Sequence, residues 1–262
     1  MKSVDGARVV VTGGGSGIGA ALATRFTAEG ARVVVNDING QAAAAVADAI
    51  GGTAVPADAA SEEGVAALIA AATEVLGGID LFCANAGVGR PSDAAAPAAQ
   101  QEADWELSWQ VNVMAHVRAA RLLLPDWLER GSGHLICTVS AAGLLTLLGS
   151  APYSVTKHAA LSFAEWLALT YKHRGITVQA LCPQGVRTPM LAASGPVGQA
   201  LLDESAITPE AAADAVVQGI ADGSFLILPH PEVAEMYANR AANPDRWLGG
   251  MNKLQRNLEQ SS

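Results

Sequence analysis

The sequence predicts a doubly wound α/β fold, with a mostly parallel sheet of seven strands and helices on both faces. Short valine-rich runs alternate along the chain with longer alanine-rich, amphipathic stretches. The short runs have strand length and are apolar throughout, as strands buried on both faces are. We find no internal repeat and no linker composition, so we expect one domain over residues 1–262.

The predicted elements alternate in chain order. The first strand ends at a glycine run that leads into a helix, and the same strand-to-helix order continues to the last strand. Ala103 is the expected entry to the longest helix, and Thr208 before Pro209 is a typical helix start. The predicted strands are 8–12, 31–35, 53–57, 81–84, 134–140, 176–182 and 225–228, and the predicted helices are 20–29, 41–50, 62–76, 104–130, 153–174 and 209–222.

Composition excludes several classes of function. Half of the residues are hydrophobic and 16% are charged, which argues against disorder. The net charge of −9 argues against a nucleic-acid partner, because such binding depends on Lys and Arg at phosphates. Cys83, Cys137 and Cys182 lie in apolar runs without metal-ligand spacing, so we expect buried free thiols and no metal site. With no signal peptide or membrane helix in view, we expect a soluble cytoplasmic protein.

The glycine run is a candidate cofactor site. Gly13, Gly17 and Gly19 follow a strand and open a helix, in the order Gly13-x-x-x-Gly17-x-Gly19. Small residues let the backbone approach a pyrophosphate, and the helix N-terminus offers free N–H groups and a positive dipole end. A tight structural turn is the alternative, which the glycines alone do not exclude.

Two aspartates at strand ends extend this site. Asp37 ends the second strand, where a carboxylate accepts hydrogen bonds from an adenosine ribose or caps the next helix. A carboxylate repels a 2′-phosphate, and neither Ser16 nor Ile38 supplies a cation, so NAD(H) is predicted rather than NADP(H). Asp58 follows the third strand, either near an adenine or as a turn former.

Ser140, Tyr153 and Lys157 are the candidate proton-transfer residues. Tyr153 and Lys157 are four positions apart on a predicted helix and therefore lie on one face. A neighbouring ammonium favours the phenolate and lowers the tyrosine pKa from about 10 toward the range of a general base. Ser140, at the end of a predicted strand, can bring a hydroxyl to the same place.

These residues belong to an ordered set of motifs between residues 8 and 190. The set comprises Thr12-Gly-Gly-Gly-Ser-Gly-Ile-Gly19, Asp58-Ala59, Asn85-Ala-Gly87, Asn112 within Val-Asn-Val, Ser140, Tyr153-Ser-Val-Thr-Lys157, and Pro183 with Thr188. In order and spacing the chain resembles the short-chain dehydrogenase/reductase family, and the whole set is far more specific than any member. The resemblance implies a Rossmann fold and an NAD(P)-dependent oxidoreductase.

The resemblance also implies the role of each residue. Tyr153 would be the acid/base, Lys157 would lower its pKa and hold the nicotinamide ribose, and Ser140 would bind the reacting oxygen. Asn112 would position a water in a proton relay, and a local helix kink would explain a polar residue in this apolar helix, although a surface amide is the alternative. The expected cofactor-binding residues are Gly13, Ser16, Gly17, Ile18, Gly19, Asp37, Asp58, Ala59, Asn85, Ala86, Gly87, Tyr153, Lys157, Val186 and Thr188.

The substrate side is less defined. Where the family usually has glycine after Pro183, this chain has Gln184, which either adds an amide to the pocket or points to solvent. The leucine-rich stretch 141–149 either lines an apolar pocket or packs against another subunit. The expected substrate-contacting residues are Ser140, Ala142, Leu148, Tyr153, Gln184 and Met190.

Two further segments are expected to surround the pocket. Residues 188–208 contain several Gly and Pro residues among small apolar ones, which suits a mobile lid. Residues 232–262 form a predicted helical extension, which docks on its own domain, covers the pocket or crosses to a neighbouring subunit. Its apolar stripe at helical spacing consists of Trp247, Leu248, Met251, Leu254 and Leu258.

The predicted function is hydride transfer between NAD(H) and a secondary alcohol or ketone with an apolar body. One alternative is an NADPH-dependent 3-ketoacyl-carrier-protein-type reductase, which Asp37 disfavours. A non-catalytic NAD-binding regulatory protein is the other, disfavoured because all four catalytic positions are filled. Since the helices at 104–130 and 153–174 resemble those through which the family associates, we expect a homo-oligomer, a dimer or a homotetramer.

Overall fold

The computed structural model describes residues 1–90 and 101–261 and contains one seven-stranded sheet in the order β3-β2-β1-β4-β5-β6-β7. All neighbouring strands pair in parallel, so the predicted mostly parallel sheet is parallel throughout its described strands. The strands are β1 Arg8–Thr12, β2 Arg32–Asn36, β3 Thr53–Ala54, β4 Leu81–Ala84, β5 Gly133–Thr138, β6 Ile176–Leu181 and β7 Leu226–Ile227.

The helices confirm the predicted alternation and add several elements to it. The 104–130 helix is divided by a π-helical segment, Gln110–Met114, and a 3₁₀ turn, Lys172–Arg174, ends the 153–174 helix. The α-helices are α1 Gly17–Ala28, α2 Gly40–Ile50, α3 Glu62–Leu76, α4 Glu102–Trp109, α5 Ala115–Glu129, α6 Ala142–Leu145, α7 Ala151–Tyr171, α8 Pro189–Ala192, α9 Gly195–Leu202, α10 Pro209–Asp222, α11 Glu232–Ala242 and α12 Pro244–Ser261.

Successive valines of the inner strands point to opposite faces of the sheet. Val9 and Val11 pack in one apolar cluster with residues of α1, α2 and α10, whereas Val10 packs in the other with residues of α3, α5 and α7. Because side chains alternate along a strand, an all-apolar strand requires helices on both faces. This confirms the doubly wound arrangement predicted from the apolar runs.

Several predicted boundaries are wrong. The third strand ends at Ala54 instead of residue 57, and the fifth ends at Thr138, which leaves Ser140 in the following loop. The first helix begins at Gly17, inside the glycine run, because three small residues fit a helix start closely packed on β1. The predicted loop 141–149 contains the short helix α6, and the predicted lid 188–208 contains α8 and α9.

The strand order fixes where a ligand can bind. The chain moves outward from β1 through β2 to β3, then returns to place β4 on the other side of β1. Helices that leave β1 and β4 therefore lie on opposite faces, and a crevice opens at the carboxyl ends of these two strands. The glycine run follows β1, and the Asn85-Ala86-Gly87 segment follows β4. Among the described helices, none is long and apolar enough to cross a membrane.

Candidate active site

One cavity of about 820 Å³ lies at the carboxyl ends of the strands. It is lined by every residue predicted to bind cofactor or substrate, and by three of the four predicted catalytic residues. The fourth, Asn112, is fully buried behind the cavity wall. The structure therefore brings together side chains and glycines that are up to about 180 positions apart in the sequence.

The glycine turn packs against the loop after β4. Gly13 has a φ of +62°, and a Cβ there would lie 2.9 Å from the Cα of Ala86. A Cβ on Gly19 would lie 2.1 Å from the carbonyl oxygen of Gly13, so any larger residue would force the turn apart. Ser16 precedes α1 without capping it through its side chain, and no acidic residue occupies the first turn. The N–H groups of this helix end therefore face the cavity with their positive dipole uncompensated by a carboxylate.

Asp37 is held at the end of β2 by two backbone donors. Its carboxylate accepts hydrogen bonds from the N–H groups of Gly15, at 3.0 Å, and Asn39, at 2.9 Å. Asn39, and not Asp37, caps α2, since its side chain accepts from Ala42. The structure thus removes the helix-capping alternative for Asp37 and fixes its carboxylate beside the glycine turn.

Asp58 has the turn geometry that the sequence left open, although it also lines the cavity. Its carboxylate accepts from the N–H of Ala60 at 2.9 Å, and its side chain is exposed. Ala59, beside it, is buried in the cavity wall. The two roles of Asp58 are compatible, because the second carboxylate oxygen stays available to a ligand.

Asn85 is fixed by two threonines that the sequence analysis did not select as site residues. Its side-chain amide donates to the carbonyl of Thr12, and its Oδ1 accepts from the hydroxyl of Thr138 at 3.0 Å. The Thr12 hydroxyl accepts from the N–H groups of Asn85 and Ala86, both at 3.0 Å. These bonds tie the ends of β1, β4 and β5 into one rigid edge. Thr12 opens the glycine motif, but nothing in the sequence assigns it this contact, and Thr138 has the pattern of an ordinary strand residue.

Ser140, Tyr153 and Lys157 converge in the cavity. The Ser140 hydroxyl lies near enough to the Tyr153 phenol to act on its pKa. Lys157 Nζ lies 5.6 Å from the centroid of the Tyr153 ring and donates to the carbonyl of Thr138 at 2.9 Å. Lys157 is buried, whereas Tyr153 is half-buried and reaches the cavity. The cluster places a proton acceptor at the cavity wall and a cation directly behind it.

The electrostatics differ from the expectation that Lys157 lowers the pKa of Tyr153. Burial raises the pKa of the Tyr153 phenol, and the nearby Ser140 hydroxyl only partly offsets this. Burial also lowers the pKa of Lys157 to about 8, against the opposing effect of the thiols of Cys182 and Cys137. Desolvation outweighs the attraction because both charged forms are withdrawn from water and the ammonium is directed to Thr138. Without further ligands the phenol is therefore protonated at neutral pH.

Asn112 lies in the π-helical segment, which is the irregularity expected around a buried polar residue. Its Oδ1 accepts from the N–H of Val88 at 2.9 Å, and its amide donates to the carbonyl of Val88 at 3.0 Å and to the hydroxyl of Thr156 at 3.1 Å. The surface alternative is wrong, because Asn112 is fully buried. Its side chain ties the loop after β4 to helix α7, which carries Tyr153 and Lys157.

The leucine-rich stretch divides between the core and the cavity. Leu144 is fully buried in the apolar core, whereas Leu145, Leu147 and Leu148 line the cavity. Thr146 interrupts them with a φ of +68°, which turns the chain at the end of α6. Part of the stretch therefore lines a pocket, which is the first of the two alternatives. Leu144 packs inside its own domain and not against another subunit.

Gln184 and the lid are joined by a buried histidine that the sequence analysis missed. The N–H of Gln184 donates to His230 Nδ1 at 3.2 Å, and His230 Nε2 faces the carbonyl of Ser205 at 3.2 Å. With the proton on Nε2, the ring accepts from Gln184 and donates to Ser205, so His230 bridges the loop after β6 to the end of the lid. No spacing in the sequence relates residue 230 to 184 or 205.

The helical extension also contributes to the cavity. Met236 of α11, and Trp247, Met251 and Leu254 of α12, line it. The sequence contained the signal, an apolar stripe at helical spacing, but it did not identify the surface that the stripe contacts. Among the described residues, no group of three His, Cys, Asp or Glu side chains could hold a metal ion. All three cysteines are buried and free, as predicted.

Known proteins are similar to this chain in sequence and in fold. The family model described as short chain dehydrogenase matches residues 7–196. The chain is 41% identical over 195 residues to 1-deoxy-11-beta-hydroxypentalenate dehydrogenase of Streptomyces exfoliatus, covering 70% of this chain and 68% of that protein. It is 37% identical over 195 residues to 2,5-dichloro-2,5-cyclohexadiene-1,4-diol dehydrogenase of Sphingobium indicum, covering 73% and 77%.

A solved structure agrees with these relatives over nearly the whole chain. A short chain dehydrogenase/reductase from Burkholderia phymatum in complex with NAD superimposes with a TM-score of 0.83 at 28% identity, covering 92% of this chain and 95% of that one. The glycine turn, strands β1 to β6 and the Ser140, Tyr153 and Lys157 cluster lie within residues 7–196, which the family model matches. The chain belongs to the short-chain dehydrogenase family.

Proposed function

We propose that this protein is an NAD-dependent dehydrogenase that interconverts a secondary alcohol with an apolar body and its ketone. One observation carries the proposal: the cavity that begins at the glycine turn and Asp37 ends at Ser140, Tyr153 and Lys157. A dinucleotide site and a proton-transfer cluster in one cavity are the two requirements of hydride transfer to a nicotinamide. The relatives named as hydroxypentalenate and cyclohexadienediol dehydrogenases support an alcohol as substrate.

The cavity fits NAD. The uncapped N-terminus of α1 offers N–H groups and a positive dipole end to a pyrophosphate, and Asp37 offers a carboxylate to a ribose hydroxyl. We assign the pyrophosphate to Gly13, Ser16, Gly17, Ile18 and Gly19. The remaining cofactor contacts are assigned to Asp37, Asp58, Ala59, Asn85, Ala86, Gly87, Tyr153, Lys157, Val186 and Thr188.

In the oxidative direction Tyr153, once deprotonated, would accept the hydroxyl proton of the alcohol, and in the reductive direction its phenol would donate a proton to the substrate oxygen. NAD, when bound, supplies the acceptor for the hydride. Ser140 donates a hydrogen bond to the substrate oxygen and keeps it against Tyr153, and Lys157 holds the ribose side of the site while its charge favours the phenolate. Asn112 positions both partners by tying Val88 to α7. Ala142, Leu148, Gln184 and Met190 are assigned to the substrate body.

The two alternatives have different support. A 3-ketoacyl-(acyl-carrier-protein) reductase from Brucella melitensis complexed with NADH has the same fold, with a TM-score of 0.79 at 27% identity and coverage of 87% of this chain. An NADPH-dependent reductase would need a cation for the 2′-phosphate, and the Asp37 carboxylate stands there instead. A non-catalytic NAD-binding protein needs no proton-transfer cluster, and this chain retains Ser140, Tyr153, Lys157 and Asn112.

A cofactor comparison joined to an alcohol screen tests the proposal. Purified protein is assayed for oxidation of aliphatic, aromatic, terpenoid and steroidal secondary alcohols, with NAD and with NADP. We expect turnover with NAD and a preference over NADP that Asp37→Ser reduces about tenfold or more, the size of one charge-assisted hydrogen bond. Tight binding of NADP would overturn the cofactor assignment. Binding of NAD without oxidation of any alcohol would favour the non-catalytic alternative.

We also infer a homo-oligomer, a dimer or a homotetramer, in the cytoplasm. Large apolar side chains are exposed on α4 and α7, the helices expected to mediate association. Trp166 is 53% exposed and Leu169 84%, and Trp105 and Trp109 are also exposed. Exposed apolar patches of this kind are typical of subunit interfaces. Buried free thiols agree with a reducing compartment.

A further inference from the structure

We propose that α12 is a hinged cap over the substrate end of the cavity, and that its apolar face selects uncharged secondary alcohols whose apolar body is large enough to contact it. The inference rests on the proposed function and adds a substrate class and the residues that select it. The cap residues are Met251 and Leu254, which line the same cavity as Ser140 and Tyr153. Trp247, at the base of the helix, lines the cavity too.

The exposure of α12 is one-sided. Trp247, Met251, Leu254 and Leu258 are half-buried at spacings of four, three and four, which is one face of a helix. Leu248, on another face, is 63% exposed. Trp247 also packs against the apolar core, so the first turn of the helix is fixed, whereas Met251 and Leu254 of the following turns line the cavity. An apolar substrate body would complete the burial of this face.

The base of the cap is anchored to the catalytic helix. Arg240, near the end of α11, donates to the carbonyl of Leu144 and to His158 Nε2, the latter at 3.2 Å. His158 lies one position after Lys157 on α7, and its Nδ1 bonds the carbonyl of Ser154 at 2.9 Å. Asn243 then caps α12 through the N–H of Arg246 at 3.0 Å. Movement of the cap therefore has to originate within α12 itself.

Gly249 and Gly250 provide a point of flexibility within the helix. Glycine is the least favourable residue inside a helix after proline. No packing requires glycine here, because a Cβ on either residue would meet nothing within 4 Å. The pair lies between Trp247, which is packed on the core, and Met251, which lines the cavity. The lowest helix propensity in the interior of α12 therefore falls between its fixed first turn and the turns that line the cavity, which is where a hinge is required.

The charges of the cavity select against a charged substrate. Among the described lining residues, the charged ones are Asp37, Asp58, Arg90, Lys157 and Glu232. The Arg90 guanidinium is paired with Asp104 at 2.8 Å, and Lys157 donates to Thr138 behind Tyr153. A carboxylate on the substrate would meet the leucines, methionines and Trp247 without a free cation, which is costly. An ammonium would be desolvated against the same apolar face, so the cap favours an uncharged substrate body.

A size series of alcohols tests selection by the cap. Cyclohexanol, a bicyclic decalin alcohol and an uncharged tricyclic alcohol are compared with NAD in wild type, Met251→Ala and the matched control Leu248→Ala. We expect Met251→Ala to lower kcat/KM for the tricyclic alcohol about tenfold, the value of burying one methionine, with a smaller loss for cyclohexanol. Leu248→Ala should follow wild type. Equal losses on all three alcohols, or none on the tricyclic one, would overturn selection by α12.

A binding measurement separates the cap from the proposed function. Calorimetric titration with the tricyclic ketone in the presence of NAD, a pair between which no hydride can pass, needs no turnover. Weaker binding to Met251→Ala than to Leu248→Ala would support the cap even if no alcohol is oxidised, in which case only the proposed function fails. Equal binding to both variants would reject the cap while leaving the dehydrogenase assignment intact.

The hinge is tested by replacing both glycines with alanine. The double variant Gly249→Ala/Gly250→Ala has room for both methyl groups and stiffens the helix. We expect trypsin to cleave after the exposed Lys253 at least about tenfold more slowly, since cleavage requires local unfolding. We also expect kcat for the tricyclic alcohol to fall several-fold as product release slows. If neither the cleavage rate nor kcat changes, the proposal that Gly249 and Gly250 form a hinge is wrong.

Discussion

Tyr153 lies close to Ser140 and to the ammonium of Lys157, and the expected result was a lowered pKa. Burial of the phenol raises its pKa instead. The residue-level geometry therefore fits a phenol that stays protonated until cofactor and substrate change its surroundings. Lys157 shows the same effect from the other side, with its pKa lowered to about 8 by burial. Burial of these two ionisable groups destabilises the folded protein, and perturbed pKa values of this kind are common at functional sites.

Removal of the phenol hydroxyl tests the acid/base assignment. Tyr153→Phe keeps the ring but leaves no group to accept the substrate proton, so kcat should fall by about 10² or more. The measurement is steady-state oxidation of the best alcohol with NAD, with NAD binding checked by titration. Turnover close to wild type would exclude Tyr153 as the acid/base.

The lowered pKa of Lys157 predicts a pH-dependent stability difference. Below about pH 8 the lysine is charged in both folded and unfolded chains, and the cost of its burial is fully present. Between about 8 and its ordinary value of 10.5, the unfolded chain binds more protons, so stability rises with pH. The free energy of unfolding of wild type minus that of Lys157→Met, from urea titrations, should therefore increase across this window. A difference that stays flat would contradict the shift.

At the scale of elements, the π-helical segment explains how a buried amide is accommodated within a long helix. The extra residue in that turn turns Asn112 toward Val88 and Thr156, so one side chain joins three elements. π-Helical turns are frequent at functional sites for this reason. The sequence predicted one uninterrupted helix over residues 104–130. Periodicity detects an apolar face but does not detect the extra residue of a π-helical turn.

Loss of the Asn112 amide should loosen this junction. Asn112→Ala leaves the Val88 N–H and carbonyl without their partners, and the free energy of unfolding should fall by about 2–3 kcal/mol. Denaturant titration measures the loss, with Asn252→Ala on the exposed side of α12 as the control, expected to change stability by less than about 0.5 kcal/mol. Equal stability of the two variants would show that the bridge is energetically unimportant.

The segment 188–208 is proposed as a lid that becomes ordered with cofactor. Thr188 lies against Gly17, since a Cβ on that glycine would be 2.9 Å from Thr188 Cγ2, so a dinucleotide at the turn would contact the start of the lid. Thermolysin should cleave between Met190 and Ala206 more slowly when NAD is present. Equal cleavage with and without NAD would contradict the proposal. The variant His230→Phe removes the bridge to Ser205 and should speed cleavage both with and without NAD.

At the scale of the whole molecule, both faces of the sheet are covered by helices of the same chain, while α7 still exposes a large apolar area. Association through this helix should therefore be sensitive to charge. Trp166→Lys is expected to shift the solution mass toward a smaller species in light scattering coupled to gel filtration. Val75→Lys, at another exposed apolar position on α3, is the control. A wild-type protein that is already monomeric would overturn the homo-oligomer.

Much of the fold and part of the site were predictable because they depend on local rules. Valine runs with no polar face specify buried parallel strands, and Gly13, Gly17 and Gly19 specify a turn that only small residues can form. Its place at the end of the second strand identified Asp37, and the ordered motifs identified Ser140, Tyr153 and Lys157; all four line the cavity. Boundaries were less accurate, as at Ala54 and Thr138, since strand ends depend on the partner strand.

The sequence by itself determined the layered α/β architecture, the glycine turn and the identity of the residues that could transfer a proton. Only the tertiary structure decided that desolvation outweighs the Lys157 charge at Tyr153, that His230 joins Gln184 to Ser205, and that α12 faces the cavity. The physical reason is common to all three. Burial and contacts between distant residues arise from the packed chain, whereas composition, periodicity and spacing encode only what each segment can do by itself.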